Sequence, residues 1–327
     1  MFYERKLKEV YLPEVIGLGE VMVVMDPLSN GPLRYVEHFR KTIGGAEGNV
    51  CIGVTRLGHS AGWIGRVGTD EFGRFIISFL KGEGVDASCA KVVDRFTGVY
   101  FKERRGIGDT KAYYYRKNSA GSTISCEDIS GEYLKGTKFF HTTGITLALS
   151  DSAKKTVKYG VELAKSLGIS VSFDVNLRLK LWKEEDAKRE IPQVISKVDL
   201  VFLTLEEGNI IFDIKEPEAL IEKVLSIGPE IVCVKLGKEG VVVGNMRGEF
   251  YSVPAFDNFY SVDNVGAGDG FVAGFLVGQL KGWSLKDSAT LGNIVGAYAT
   301  TTTGDVEGLP TWQEVEEIIR GKEGIRR

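Results

Sequence analysis

The sequence predicts an α/β fold, a three-layer sandwich with a central, mostly parallel β-sheet and a small β lid. Three observations predict it. Short β-rich runs alternate with longer helical patterns along most of the 327 residues, as in parallel strands joined by crossover helices on both faces. Polar residues (Asp174, Asn176, Glu207 and Lys235) recur where strands should end, which is where such sheets bind ligands. One region, 96–121, breaks the alternation with two strand-like runs and no helix between them.

Taken in order, "VIGLGEVMVVM" (15–25) reads as a first strand, and "GPLRYVEHFRKT" (31–42) as extended chain. "GGAEGNVCIGVTRLG" (44–58) reads as a helix of small residues closing on Gly58. "SAGWIGRVG" is strand-like, and "DEFGRFIISFLKGEG" (70–84) is helical, with early acids and a glycine stop. "KFFHTTG" (138–144) is a strand and "SAKKTVKYGVELAKSLG" (152–168) an amphipathic helix. "ISVSFDVN" (169–176), "VDLVFLTLEE" (198–207) and "EIVCVKLG" (230–237) are further strands. The segments 31–42 and 94–118, with a glycine-containing turn in the second, suit a β lid on a single domain spanning 1–327. A lid over the strand ends excludes water from a reaction, and its exposed face is a candidate for homo-oligomer contact.

A net charge of −3, with 43 % hydrophobic and 26 % charged residues, describes an ordinary globular chain. It gives no reason to expect nucleic acid or an anionic membrane as partner. The four cysteines lie far apart without a C-x-x-C pair, against a zinc or redox site. Residues 1–15 lack the apolar centre of a signal peptide, and no 18-residue apolar run occurs, so a cytoplasmic location is expected.

The most informative stretch is "SVDNVGAGDGF" (261–271). Gly266, Ala267 and Gly268 run into Asp269, and an apolar helical segment follows. Free amides at a helix start attract anions. Phosphoryl transfer needs such donors on phosphate oxygens, and a base for the attacking hydroxyl. This turn supplies both within four residues. The alternative is an ordinary acid in a helix's first turn. The P-loop pattern is absent, and "GLGEVM" (17–22) has Met22 where a dinucleotide fingerprint needs its third glycine.

With these residues in view, the sequence resembles the ribokinase-like (PfkB-type) carbohydrate kinases. "GGAEGNVCIGVTRLG" and "GWIGRVGTDEFGRF" resemble that family's N-terminal signature, and "DNVGAGDGFVAGFL" its C-terminal one. The resemblance implies Asp269 as the catalytic base, with the amides of Gly266, Ala267 and Gly268 as the anion hole. It implies Gly44, Gly45 and Asn49 toward the sugar. Asp174 and Asn176 would lie near the phosphates, and Lys235, Gly237 and Gly240 on the nucleotide side. ATP and Mg²⁺ are the implied cofactors. Two departures stand out: Asn264 replaces the usual threonine, and the magnesium-linked N-x-x-E motif reads "TLEE", keeping Glu207 but with Thr204 for asparagine.

"YYYRKNSAGS" (113–122), "FDVNLRLKLW" (173–182) and "GDVEG" (304–308) are similar to the members of that family that phosphorylate 2-keto-3-deoxygluconate. A sugar acid calls for a guanidinium, and Arg116 and Arg178 are the candidates. Resemblance adds Tyr100, Tyr114 and Asp305 to the substrate side. Tyr114 and Tyr115 cannot both face one pocket on a regular strand. The expected activity is ATP-dependent phosphorylation of this sugar acid. The rivals are a kinase for fructose or ribose, a sugar- or nucleotide-binding module, and an NAD(P)-dependent oxidoreductase.

Overall fold

The computed structural model describes residues 12–105 and 110–324. The chain runs β1 (Val15–Leu18), β2 (Met22–Pro27), β3 (Phe39–Gly44), α1 (Ala46–Arg56), β4 (Ala61–Ile64), β5 (Arg66–Gly68), α2 (Glu71–Gly82), β6 (Lys91–Val93), β7 (Val99–Glu103) and β8 (Lys111–Tyr115). It continues α3 (Gly131–Leu134), β9 (Phe139–Thr143), α4 (Gly144–Ala148), α5 (Asp151–Ser166), β10 (Ser170–Asp174), α6 (Glu184–Ile195), β11 (Leu200–Thr204), α7 (Leu205–Phe212) and α8 (Pro217–Leu225). The last elements are β12 (Ile231–Lys235), β13 (Val241–Asn245), β14 (Phe250–Val253), α9 (Ala267–Leu280), α10 (Leu285–Ala299) and α11 (Trp312–Gly324).

Eight strands form the central sheet in the order β14-β13-β12-β11-β10-β9-β1-β4. All pairs are parallel except β12–β13 and β13–β14. Alternate residues feed two separate cores, as a period of two requires. Leu200 and Phe202 pack with α1, α9 and α10, while Val201 and Leu203 pack with α5, α6 and α8. The outcome is the expected three-layer sandwich. The helices start where their caps dictate: Asp70 accepts from Gly73 N at 2.8 Å to open α2, and Ser150 from Ala153 N at 3.0 Å to open α5.

A second sheet, ordered β3-β2-β7-β8, covers the carboxyl ends of the central strands. Its make-up corrects the sequence reading. The run 15–25 is not one strand: β1 joins the central sheet, and β2 belongs to the lid. Continuous apolar spelling hid the turn at Gly19–Val21. The stretch 60–68 likewise splits into β4 and β5 in different sheets. Within 31–42 only the part from Phe39 is strand, after a short 3₁₀ turn at Leu33–Tyr35. Residues 205–207 are not strand but the first turn of α7. Thr204 caps that helix while Glu207 reaches back to the Thr204 N–H at 2.7 Å, a capping box. The glycine-containing turn at 106–109 and residues 1–11 of the amino-terminal stretch lie outside the described residues. No helix among the described residues is long and apolar enough to cross a membrane.

Candidate active site

Beyond the carboxyl ends of β10, β11 and β12, and beneath the lid, lies a cavity of about 1020 Å³. The start of α9 forms its floor. Gly266 is the N-cap, at φ +83°, and a Cβ there would fall 2.3 Å from the Asp305 carbonyl oxygen. Only glycine fits this left-handed, crowded position. The turn aims the first N–H groups of α9 into the cavity end that Gly266, Ala267, Gly268 and Asp269 line. The Ala267 N–H makes a long 3.4 Å turn bond to Asn264 O, which a bound anion would have to displace.

Asp269 sits in the first turn of α9, and its Oδ2 accepts from Asn49 Nδ2 at 2.7 Å. Burial lifts its carboxyl to about 7; the Asn49 bond opposes the shift, nearby Asp174 and Asp305 add to it, and Lys235 pulls it down. A carboxylate poised near neutrality is suited to take a proton from an alcohol. Asn49 is held in the first turn of α1, and its buried Oδ1 has no partner among the described residues.

The lid supplies the opposite wall. On β7 and β8, Tyr100 stands directly across from Tyr114, with ring centroids 5.1 Å apart. Both line the cavity, whereas Tyr115 alternates to the outer face and packs on Phe101. The Tyr100 hydroxyl donates to Asp305 Oδ2 at 2.6 Å. Burial raises the Asp305 carboxyl although Lys102, 2.7 Å from Oδ1, pulls the other way. Gly45 lines the cavity. Gly44 packs directly against two of the cavity's lining groups. A Cβ at Gly44 would meet the Tyr100 hydroxyl at 2.4 Å and Asp305 Oδ2 at 2.5 Å.

The two arginines differ. Arg116 Nε and Nη2 both meet Glu20 Oε2, at 2.8 and 2.5 Å, and Ser119 holds the other oxygen of Glu20. One edge of the Arg116 fork is therefore engaged with a buried protein carboxylate, two of its five N–H donors. Arg178 also lines the cavity but is exposed, with a 3.5 Å contact to its neighbour's carbonyl.

At the other end, Lys235 donates to both oxygens of Asp174, at 3.0 and 2.8 Å. Burial lowers the Lys235 ammonium, but Asp174, Glu207 and Asp269 together outweigh it and hold the lysine above its usual value. Lys235 Nζ also lies 3.6 Å from where a Gly268 Cβ would be, so this cation adjoins the anion turn. Asn176, at φ +37°, lines the cavity just past β10. Gly237 and Gly240 line it after β12, and Phe256 and Phe259 add an aromatic wall.

Glu207 accepts from Leu177 N and Thr204 N, each at 2.7 Å, and burial raises its carboxyl. No cage of three or more His, Cys, Asp or Glu side chains exists among the described residues. Magnesium keeps most of its waters and needs only one or two carboxylates beside phosphate oxygens. Asp174 and Glu207, two hard oxygen donors on the phosphate side, fit that requirement.

Sequence reasoning missed Glu20, Lys102 and Asp263 as cavity residues. Lys102 was findable: it shares the alternation of Tyr100 along β7. Glu20 was not, because it sits in a turn that apolar spelling concealed.

Comparison with known proteins agrees with this geometry. The pfkB family carbohydrate kinase model matches residues 13–312. The chain is 35 % identical over 321 residues to 2-dehydro-3-deoxygluconokinase of Bacillus subtilis (strain 168), covering 96 % of this chain and 98 % of that one. It is 35 % identical over 311 residues to 2-dehydro-3-deoxygluconokinase of Thermoproteus tenax, covering 94 % of each. A putative ribokinase II from E. coli, solved with ATP and Mg²⁺, superposes with a TM-score of 0.87 at 28 % identity, covering 94 % of this chain and 99 % of that one.

Proposed function

The chain belongs to the pfkB family of carbohydrate kinases, and we propose that it transfers the γ-phosphoryl group of ATP to a hydroxyl of 2-keto-3-deoxygluconate, giving 2-keto-3-deoxy-6-phosphogluconate. The observation that carries the chemistry is Asp269, raised to about 7 at the start of α9 beside a glycine turn. In this reading the sugar lies between the lid tyrosines and Asn49. Asp269 accepts the proton of the attacking hydroxyl. The Gly266–Gly268 amides and Lys235 stabilise charge on the moving phosphoryl group, and the lid excludes water. Asp174 and Glu207 would hold the magnesium ion, which when bound would offset charge on the ATP phosphates. The domain works as one unit with the lid as its cover. It acts in the cytoplasm and self-associates through the outer lid face, where Tyr113 and Tyr115 are exposed.

The substrate rests on the relatives more than on the arginines. Arg178 is the freer guanidinium for the sugar's carboxylate. Arg116 contributes only what Glu20 leaves. That same pairing favours the second reading, a neutral sugar, because a charge already balanced by Glu20 needs no acidic ligand. ADP release with 2-keto-3-deoxygluconate, fructose and ribose, side by side, tests the choice. The keto-acid should be preferred at least ten-fold in kcat/KM, and Arg178→Gln should lower its kcat/KM by about ten-fold or more with little effect on the neutral sugars. Preference for a neutral sugar, unaffected by Arg178→Gln, would establish the second reading instead.

A further inference from the structure

Lys102 belongs to the lid strand β7, yet its side chain is only 1 % exposed. A buried ammonium is costly unless carboxylates face it. Two do, and both belong to the body. Asp305 Oδ1 lies 2.7 Å from Nζ, and Asp263 Oδ2 lies 3.6 Å away. Asp305 Oδ1 pairs closely with Nζ and Asp263 Oδ2 lies just beyond hydrogen-bond distance, so the three atoms form a compact buried charge cluster. Burial lowers the ammonium, but Asp305, Asp263 and, from the lid itself, Asp26 together outweigh it and hold it above its usual value.

Each carboxylate leads to a different part of the site. Asp305 receives the Tyr100 hydroxyl on its second oxygen, and its carbonyl packs against Gly266. Asp263 accepts from Val265 N at 3.2 Å, in the loop that delivers the chain into the Gly266 turn. One lid side chain therefore touches the sugar wall and the approach to the anion turn together. The lid makes other contacts to the body: Arg40, 39 % exposed, donates to Thr303 O at 2.8 Å, buried Thr42 donates to Glu307 at 2.5 Å, and the Thr110 hydroxyl lies 3.5 Å from Asp263 Oδ1.

We propose that Lys102 is a positioning residue that couples lid seating to the site, holding Asp305 toward the sugar and the Asp263 loop beneath the phosphoryl path. This rests on the kinase reading above. It does not bind ATP or take a proton; it fixes two groups that the lid would otherwise leave as uncompensated buried charges.

The test is Lys102→Met, which keeps length and removes charge, alongside Lys102→Met/Asp263→Asn, which also removes one stranded carboxylate. Measured are sugar KM, kcat, the ratio of ADP to phosphosugar, the ATP Kd without sugar, and Tm. Lys102→Met should raise sugar KM at least ten-fold and lift the ADP to phosphosugar ratio above one, with ATP Kd within two-fold of wild type. The double variant should recover Tm but keep the raised KM, because Asp305 is still unheld. A wild-type KM in Lys102→Met, or a double variant that regains both Tm and KM, would reduce Lys102 to a structural ion pair and overturn the inference. Failure of the kinase reading shows differently, as no sugar-dependent ADP formation by the wild-type enzyme.

Discussion

Asp269 shows how far a residue can be read from sequence. Its place behind Gly266-Ala267-Gly268 was legible, since glycine spacing and a following apolar run mark a helix start. Its proton affinity was not, because burial and the Asp174, Asp305 and Lys235 charges come from distant parts of the chain. The shift has a sign that can be checked. Only ionised Asp269 can accept a proton, so kcat/KM should climb with pH through about 7 and level off above it. Stability should run the other way. Between about 4 and 7 the folded chain holds a proton that the unfolded chain has released, so stability from this group falls as pH rises through that window. Asp269→Asn keeps a partner for Asn49 and removes the buried charge. It should raise Tm at pH 8, with a gain of up to about 4 kcal/mol for a carboxyl lifted from its ordinary value to about 7, while the same change at pH 4 has little effect. Thermal melts of both proteins at the two pH values check this.

At the scale of elements, the parallel βα units were legible because β-rich runs and amphipathic helices differ in period. The lid was legible only in part. Its strands β7 and β8 appeared as a break in rhythm, but β2 was absorbed into β1, since both spell as apolar strand. The first turn of α7 spells as strand because Thr204 and Glu207 declare a helix only through their mutual capping bonds. The junction of β3 and α1 carries its own prediction. Gly44 backs the Tyr100–Asp305 pair so closely that a methyl group must displace one of them. Gly44→Ala should raise sugar KM about ten-fold and cost roughly 1–3 kcal/mol of stability, while ATP affinity holds. Steady-state kinetics and denaturant melts read both. Unchanged KM would mean that the pair does not meet the sugar.

For the whole molecule, the sandwich and the binding edge followed from element order alone, but the assembly of the site did not. Asn49 meets Asp269, and Tyr100 meets Asp305, across more than 200 residues of chain. No local pattern encodes such pairs; the fold creates them by bringing α1, the lid and the start of α9 to one end of the sheet. The same assembly gave Arg116 a protein partner in Glu20, which no sequence spacing announced. In the proposed function this assembled cavity moves a phosphoryl group to a sugar acid with Asp269 as its base. That role is tested most directly by ADP formation from ATP and 2-keto-3-deoxygluconate in wild type and Asp269→Asn, with ATP binding measured by calorimetry in both. Wild type should show sugar-dependent turnover, and the variant should lose about 10²–10⁴-fold with ATP binding preserved. Turnover within ten-fold of wild type in Asp269→Asn would contradict that role.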